Sequence, residues 1–419
     1  MRPMLRASLA AREPGSPKAG SAWCSRSLRF GLALCAAWAI LAGGIRAQSP
    51  EVAPSFVARS GTTFTLDGRP FYVAGVNNHY LAFASRQEVI RVLDDAVAMR
   101  ANVVRTFIQP VIGSFDGSVP TIWNWKSQAE SSNLGVNGNF VMWWDVKEAR
   151  MAINLGENGL NRLDFVVAEA GKRGLKLIIA FLDFWDYTGG AQQMSAWYGG
   201  TDKYTFFAQD PRTRRDYKTW VHYILNRANT ITGTTYKADP TIFAWDLMNE
   251  PDIHPADLRE GWLREMSAYV KALDPNHLVT TGHANMRERL ADLAIPSVDF
   301  GTWHGYPAYV GMSHEQFDAQ IRAYCAIGAR HDKPVLLEEF GVARSDPRQA
   351  GSYRLWLDTI RAGEACAGWV VWRLVSLQDS GRYPEDTHDQ FDIRNDGSET
   401  WTVLRDAATA LRAKSGPGR

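Results

Sequence analysis

The sequence lacks the common signatures of nucleotide-binding and metal-binding enzymes. It contains no G-x-G-x-x-G and no G-x-x-x-x-G-K-[ST], the glycine-rich turns that bind dinucleotides and nucleoside triphosphates. It also contains no H-E-x-x-H and no Cys/His cluster of the kind that binds zinc. We therefore predict that the protein uses no cofactor and no catalytic metal.

Cysteine is scarce, and neither sign of charge is in excess. Only 4 of the 419 residues are cysteine, and 46 basic residues nearly balance 45 acidic ones. Residues 1–47 hold seven of the basic and one of the acidic residues, so the remainder has a net charge of −5. This balance does not predict a nucleic-acid surface. The composition, 45% apolar and 22% charged, is that of an ordinary globular protein.

The N-terminal segment differs from the rest of the chain. Basic residues precede the apolar stretch FGLALCAAWAILAGGI, and RAQSP follows it, an order typical of a secretory signal peptide. An apolar stretch of about 15 residues is short for a membrane-spanning helix, which needs about 20. We predict a signal peptide over 1–47 that is cleaved after Ala47, and hence a secreted or periplasmic protein with no membrane association afterwards. Retention of the segment as an anchor is the alternative.

Cleavage after Ala47 would leave two cysteines, Cys325 and Cys366. Both lie shortly before apolar segments that read as strands. An oxidising compartment would allow them to pair as a disulfide. Two buried free thiols remain an equally open interpretation of the sequence.

Short apolar, β-branched segments recur along the chain, separated by stretches with apolar residues at three- and four-residue intervals. Strands that alternate with helices predict an α/β fold, a (β/α)8 TIM barrel formed by one domain over 48–419; an open doubly wound sheet is the runner-up. The turn at Asp67 and Gly68 predicts an N-terminal hairpin that closes the floor of the barrel. The eight predicted strands cover 70–78, 101–108, 175–184, 241–250, 277–283, 297–306, 333–341 and 367–374.

Two long insertions follow the second and third predicted strands. The first covers about 109–159 and the second reads WDYTGGAQQMSAWYGG, and both are rich in tryptophan. In a barrel they would lie at the carboxyl ends of the strands, where sites are built. They could line a groove, with Trp123 or Trp125 as a ligand platform. Alternatively, Trp143 and Trp144 could fill a small core within the first insertion.

Two predicted strands end on carboxylates. FAWDLMNEP carries an apolar run to Asn249, Glu250 and Pro251, and PVLLEEFG carries another to Glu338 and Glu339. An ionised carboxylate is costly inside a parallel barrel but meets solvent and ligand at its carboxyl rim. A pair of carboxyl groups there is the equipment for glycoside hydrolysis, one as general acid/base and the other as nucleophile or base.

These strand ends resemble those of glycoside hydrolase family 5. Further stretches, among them FYVAGVN, VVRTF, VDFGTWHGYP and GWVVW, resemble the endo-β-1,4-mannanase branch over most of residues 56–395. The resemblance implies a retaining β-glycosidase that cuts mannan or glucomannan internally. We also expect a monomer whose partner is polysaccharide rather than nucleic acid. The alternatives are a β-1,4-glucanase or exo-acting β-mannosidase on the same fold and, from another class, a non-catalytic carbohydrate-binding barrel.

The resemblance implies a role for each residue at a matching position. Glu250 corresponds to the acid/base and Glu339 to the nucleophile. The remaining positions are expected to bind or orient the substrate: Arg105 beside the nucleophile, Asn249 at the sugar 2-hydroxyl, His304 near the acid/base, Tyr306 as a donor to the nucleophile, Trp372 beneath the cleaved sugar, and Trp185 as an aromatic platform. From the residues alone, an ordinary surface ion pair for Arg105 and a structural role for His304 stay open.

Local rules add two expectations at the strand ends. Pro251 restricts the residue before it, so Glu250 should be extended. Successive side chains of a strand alternate between its faces, so Glu338 and Glu339 should point in opposite directions. With Glu339 turned to the barrel interior, we expect Glu338 to face the helices and to have a partner of its own.

The chain departs from the mannanase pattern at three positions of the third and fourth strands and in the fifth-strand motif, which usually contains an acidic residue and an aromatic and here reads GHANMRERL. Where mannanases commonly show two asparagines before the tryptophan of the third strand, this sequence has Asp183 and Phe184. After N-E-P, Asp252 stands where the family often has arginine. The resemblance puts these positions farther along the groove. We therefore expect them to change affinity for outer sugars or tolerance of side-chain galactose more than the choice of backbone.

Overall fold

The computed structural model describes residues 55–123, 131–132, 134–286, 289–385 and 389–415, which belong to one compact unit, Ala53–Arg419. Its strands, in chain order, are β1 (Ala58–Ser60), β2 (Thr63–Leu66), β3 (Arg69–Phe71), β4 (Val73–Asn77), β5 (Val103–Phe107), β6 (Ser131–Ser132), β7 (Gly135–Val136), β8 (Met142–Asp145), β9 (Arg150–Ile153), β10 (Lys176–Ala180), β11 (Ile242–Asp246), β12 (Leu278–Thr280), β13 (Gly301–Gly305), β14 (Val335–Phe340) and β15 (Cys366–Val371).

Eight of these strands form a parallel, nearly closed barrel. They pair in the order β12-β11-β10-β5-β4-β15-β14-β13. The two end strands of that order, β12 and β13, also meet, because Asp299 N donates to Val279 O at 2.8 Å and His304 N donates to Ala284 O at 2.9 Å. Numbered along the chain, β4, β5, β10, β11, β12, β13, β14 and β15 are the first to eighth barrel strands. The (β/α)8 prediction is confirmed, and the open sheet is excluded.

Helices surround the barrel and present apolar faces to it. In α1, Ser85 and Glu88 form a capping box at the N-terminus, and the buried side chains Val89, Val92 and Leu93 recur at helical spacing. Every barrel strand except the fifth is followed by an α-helix within the described residues. The helices are α1 (Arg86–Ala98), α2 (Leu160–Lys172), α3 (Gly190–Ala196), α4 (Lys203–Gln209), α5 (Pro211–Asn226), α6 (Ala256–Leu273), α7 (His314–His331), α8 (Gln349–Ala362) and α9 (Glu399–Ala413).

A three-stranded antiparallel meander, β1-β2-β3, closes the floor of the barrel. The Phe64 ring lies 5.0 Å from Phe243 and 5.1 Å from Phe300, in an apolar cluster of inward-facing residues. The predicted hairpin is therefore present with one additional strand. The single strand predicted over 70–78 is wrong, because the chain leaves the meander at Tyr72 before it enters β4.

The tryptophans of the first insertion pack among other aromatic rings. Trp143 stacks on Phe115 with ring centroids 5.3 Å apart, and Trp144 stacks on Trp197 of the second insertion at 6.2 Å. These contacts favour the small-core interpretation for both residues. Trp123 packs, partly buried, against the main core, whereas Trp125 lies outside the described residues.

The predicted signal peptide and its cleavage site after Ala47 also lie outside the described residues. In the part of the chain that the structure describes, we find no helix that is both long enough and apolar enough to cross a bilayer.

Cys325 of α7 and Cys366 at the start of β15 form a disulfide, with Cα atoms 5.0 Å apart. Of the two interpretations left open by the sequence, the structure has the paired one. The bridge joins a helix of the outer ring to the eighth barrel strand.

We predict that the double substitution Cys325→Ser, Cys366→Ser lowers the free energy of unfolding by roughly 3 to 4 kcal/mol, because the bridge closes a long loop in the unfolded chain. Urea denaturation of the oxidised protein and the variant measures the difference. Peptide mapping without reductant is the control, and recovery of the two cysteines on separate, unlinked peptides would contradict the pairing.

Candidate active site

Past the end of β11 the chain stays paired to strands on both sides. Asn249 N donates to Leu182 O at 2.9 Å, and Glu250 N donates to Gly282 O at 2.9 Å. Gly282 has a φ of +67°, and a Cβ there would lie 1.9 Å from Asp246 Oδ1, so the position requires glycine. These contacts fix Asn249 and Glu250 at the carboxyl rim of the barrel.

Glu250 is not extended, contrary to the expectation from Pro251. Its φ is +50°, in the left-handed region. This conformation costs a residue with a Cβ about 1 kcal/mol or more. The backbone bonds to both neighbouring strands outweigh the local preference, which is why the rule for residues before proline fails here.

The guanidinium of Arg105 lies at the centre of the site and has no exposed surface. Its Nε and Nη2 donate to Asp246 Oδ2 at 3.0 and 2.7 Å. Nη1 donates to Asn77 Oδ1 at 3.1 Å and to Glu339 Oε1 at 2.5 Å, and Nη2 also donates to Asn249 Oδ1 at 3.0 Å. These bonds use all five N–H groups of the side chain. The interpretation of Arg105 as an ordinary surface ion pair is wrong.

Glu339 is held by two donors. Arg105 Nη1 binds Oε1, and the phenol of Tyr306 donates to Oε2 at 2.6 Å. Burial raises the pKa of Glu339, and the positive charges of His304 and Arg105 oppose that rise. A carboxylate that is fixed in this way is preorganised for attack on an electrophilic carbon.

Glu338 does not face the helices. The register between β13 and β14 shifts by one residue at this point. Trp303 pairs with Leu337 but His304 pairs with Glu339, so Glu338 is an extra residue in β14. This bulge interrupts the alternation of side chains. The fully buried Glu338 lies with Oε1 3.5 Å from Arg105 Nε and Oε2 3.4 Å from His304 Nε2. Both adjacent glutamates therefore point into the barrel.

His304 links Glu338 to Glu250. Its Nδ1 lies 2.5 Å from Glu250 Oε1, while Trp185 Nε1 donates to Glu250 Oε2 at 2.6 Å. Trp185 thus fixes the second oxygen of Glu250, and its role as an aromatic platform stays a prediction. A purely structural role for His304 does not fit a ring that contacts two carboxyl groups of the site.

The charges around His304 determine its protonation. Burial lowers the pKa of His304, but the negative charges of Glu339 and Glu250 outweigh burial and raise it to about 10. Burial raises the pKa of Glu250, yet the hydrogen bond and charge of His304 hold it below its usual value. In the unliganded protein, the proton between Glu250 and His304 therefore lies on Nδ1 of His304.

Asp183 lies directly behind Asn249, not farther along a groove. Asn249 Nδ2 donates to Asp183 Oδ1 at 2.9 Å while its Oδ1 accepts from Arg105, so the amide is fixed at both ends. Burial raises the pKa of Asp183 to about 7. Phe184 is fully buried and cannot contact a ligand. Among Asp183, Phe184 and Asp252, only Asp252 has a partly exposed side chain.

Trp372 completes the set of sequence-predicted residues. Its ring lies 6.1 Å from Phe107 with planes 21° apart, and Phe107 in turn lies 4.8 Å from the Arg105 guanidinium. The structure thus brings together all eight residues that the sequence singles out: Arg105, Trp185, Asn249, Glu250, His304, Tyr306, Glu339 and Trp372.

Three of these side chains also offer metal ligands. Atoms of Glu250, His304 and Glu339 lie within 4.8 Å of one another. The four carboxylate oxygens and His304 Nδ1 already have hydrogen-bonding partners within the site, two of them Trp185 and Tyr306. This arrangement fits a catalytic carboxyl pair better than a metal site, and the absence of a catalytic metal stays a prediction.

Asp246 is a site residue that the motif analysis does not single out. It lies within the apolar run IFAWDLM, and an acid inside a buried strand needs a cationic partner, which is Arg105. An acidic residue within an apolar run was therefore the signal in the sequence that could have identified Asp246. Burial and the negative charge of Glu338 raise the pKa of Asp246 to about 8. No local pattern marks the bulge that turns Glu338 inward.

Comparisons with known proteins identify the family to which this chain belongs. A model described as GH family 5 beta-mannosidase-like matches residues 153–359. Mannan endo-1,4-beta-mannosidase 1 of Oryza sativa subsp. japonica is 30% identical over 375 residues, which cover 76% of this chain and 78% of that protein. A second relative from Oryza sativa subsp. japonica, the mannan endo-1,4-beta-mannosidase numbered 9, is 34% identical over 394 residues, which cover 82% of this chain and 87% of that protein. The chain belongs to glycoside hydrolase family 5.

Solved structures of family 5 share the fold. The endo-1,4-beta-mannanase from Rhizomucor miehei is 28% identical with a TM-score of 0.72, covering 85% of this chain and 99% of that chain. A family 5 mannosidase from the same organism is 19% identical with a TM-score of 0.68, and that likeness concerns the fold alone. This family 5 chain is a hydrolase whose catalytic pair is expected on the fourth and seventh barrel strands.

We predict that Glu250→Ala and Glu339→Ala each slow mannan hydrolysis by about 10³-fold or more, but differ on an aryl β-mannoside. The aryl group leaves without protonation, so Glu250→Ala still forms the glycosyl-enzyme, and azide accelerates its breakdown. Release of dinitrophenol with and without azide measures this. An inactive Glu338→Ala beside an active Glu339→Ala would reverse the assignment.

Proposed function

We propose that this family 5 hydrolase is a secreted, retaining endo-β-1,4-mannanase. It acts as a monomer, through one domain over 48–419, on the backbone of mannan or glucomannan. Glu250 is the general acid/base and Glu339 the nucleophile. The observation that carries the proposal is the close approach of these two carboxyl groups at the mouth of the barrel, where one oxygen of each lies within 4.8 Å of the other.

The remaining residues of the site orient substrate and carboxyl groups. Asn249 offers its free N–H to the 2-hydroxyl of the sugar at the cleavage point, a bond that strengthens as positive charge develops at the anomeric carbon. Trp372 stacks beneath the same sugar. Arg105 and Tyr306 hold Glu339, and His304 and Trp185 hold Glu250, as the hydrogen bonds described above support.

The carboxyl separation supports a retaining mechanism. Inverting glycosidases keep their carboxyl groups about 6.5 to 9.5 Å apart to admit a water molecule, whereas retaining enzymes keep them about 5 to 5.5 Å apart. Here one oxygen of Glu250 and one oxygen of Glu339 lie within 4.8 Å of each other, which fits the shorter, retaining spacing better than the longer one. Glu339 therefore attacks the anomeric carbon directly while Glu250 protonates the leaving oxygen, and water later releases the glycosyl-enzyme.

Aromatic rings on both sides of the carboxyl pair support cleavage inside a long chain. Beyond Glu339, Tyr306 stacks on Phe391 at 5.3 Å, and Tyr309 beside them is 56% exposed. Beyond Glu250, Tyr204 stacks on His254 with ring centroids 5.6 Å apart. Exposed rings at both ends, Tyr309 and His254, suit successive sugars of a polymer better than a closed pocket for one sugar would.

Secretion rests on the N-terminal sequence, whose basic and apolar segments are typical of a signal peptide. The disulfide between Cys325 and Cys366 supports an oxidising compartment. A β-1,4-glucanase or an exo-acting β-mannosidase remains the alternative on the same fold. A non-catalytic binding barrel is disfavoured, since both carboxyl groups and their partners are in place.

We predict that the first product keeps the β-configuration of the substrate. Two successive inversions at the anomeric carbon, one by Glu339 and one by water, give net retention. Proton NMR of the anomeric signals during early hydrolysis of a mannooligosaccharide measures the outcome before mutarotation. Initial release of the α-anomer would refute Glu339 as nucleophile.

We also predict that mannan is cut internally and faster than carboxymethylcellulose. In the proposed complex Asn249 binds the 2-hydroxyl, which is axial in mannose, and a lost hydrogen bond there costs about 1 to 3 kcal/mol. Product length against time on mannan, glucomannan and carboxymethylcellulose tests this. Early accumulation of mannose alone would indicate exo action, and faster cleavage of the cellulose derivative would overturn the substrate.

A further inference from the structure

Glu338 is a fully buried carboxylate that the mechanism above does not use. The bulge in β14 turns it inward beside the nucleophile. Arg105 already commits its five N–H groups to other acceptors, so none of them is left for Glu338. Within the described residues, the hydrogen-bonding partner of the Glu338 carboxyl is Nε2 of His304, 3.4 Å from Oε2.

His304 thus lies between two carboxyl groups. Nδ1 contacts Glu250 at 2.5 Å, and Nε2 contacts Glu338. A carboxylate on one ring nitrogen of a histidine holds a proton on that nitrogen and thereby decides which nitrogen is free to exchange protons. Here the exchanging nitrogen is Nδ1, which faces the acid/base.

We propose that Glu338 is a positioning residue that keeps a proton on Nε2 of His304, so that Nδ1 supplies the proton which Glu250 donates to the leaving group. The proposal rests on the function proposed above. In the first step the Nδ1 proton moves to Glu250 Oε1 and on to the glycosidic oxygen. In the second step Glu250 takes a proton from the attacking water and returns it to Nδ1, so the proton count balances.

The surroundings of His304 give the sign of the expected effect. The acidic groups that act on the ring come from the fourth and seventh barrel strands: Asp246, Glu250, Glu338 and Glu339. Arg105 of the second strand and Tyr306 after the sixth contact Glu339. A negative charge on Glu338 favours the protonated His304–Glu250 pair. Removal of the Glu338 charge lowers the proton affinity of the His304–Glu250 pair, so the pair loses the proton needed for acid catalysis at a lower pH.

The test compares pH profiles of kcat/KM for full-length wild type, Glu338→Gln and Glu338→Asp. The Gln variant removes the charge and keeps the shape, and its alkaline limb should move to lower pH by about one unit. The Asp variant keeps the charge, so its limb should stay near wild type even if kcat falls.

Asp274→Asn is the matched control. Asp274 is buried and lies 2.6 Å from Nδ1 of His277, a similar acid–histidine pair, but it precedes β12 at the opposite end of the barrel. This substitution should leave both limbs in place, and thermal unfolding of all variants monitors stability. A Gln variant with the wild-type alkaline limb overturns the proposal, because a structural role alone lowers kcat without moving a limb.

Nitrogen-15 NMR of histidine-labelled wild type gives a second readout that does not need a folded variant. On raising the pH, His304 should lose the Nδ1 proton first and keep Nε2–H. Loss from Nε2 first would overturn the proposal. Wild type without hydrolytic activity on mannan or an aryl β-mannoside would instead count against the proposed function, while an active enzyme with the wrong order of proton loss counts against Glu338 alone.

Discussion

The buried guanidinium of Arg105 is the interaction on which the rest of the site depends. It reaches from the second barrel strand to Asp246 beside the end of the fourth, to Glu339 on the seventh and to Asn249 at the rim. Without this cation, several carboxylates would lie unpaired in the barrel interior. Removal of one partner from a buried ion pair costs about 3 to 5 kcal/mol, so the same side chain supports both the barrel and the chemistry.

Much of the fold and the site follows from local sequence. Apolar, β-branched runs mark the barrel strands because strands buried on both faces need such residues. Glu250, Glu339 and Arg105 stand at or near the ends of such runs, and a parallel barrel brings those ends together at one rim. The family resemblance then favours Glu339 over Glu338 as the nucleophile, a choice that the chemistry of two adjacent glutamates alone does not make.

The features that sequence could not predict depend on contacts between distant strands. The bulge that turns Glu338 inward arises from the pairing of β13 with β14. The left-handed Glu250 is held by two backbone hydrogen bonds, from Asn249 N to Leu182 O and from Glu250 N to Gly282 O. Alternation and the rule before proline are local averages, and tertiary hydrogen bonds override both. Asp183 likewise acquires its position behind Asn249 only when the third and fourth strands pair.

The meander beneath the barrel has a consequence for the charged residues above it. Within the described residues, Phe64 and its aromatic neighbours close the floor with apolar rings, so water approaches Asp246, Glu338 and His304 from the open mouth. A polysaccharide lying across the mouth would shut that route as well. The protonation state of these residues would then be fixed before each glycosidic bond is cut. The pH of the solution would therefore affect the free enzyme more than the enzyme–substrate complex.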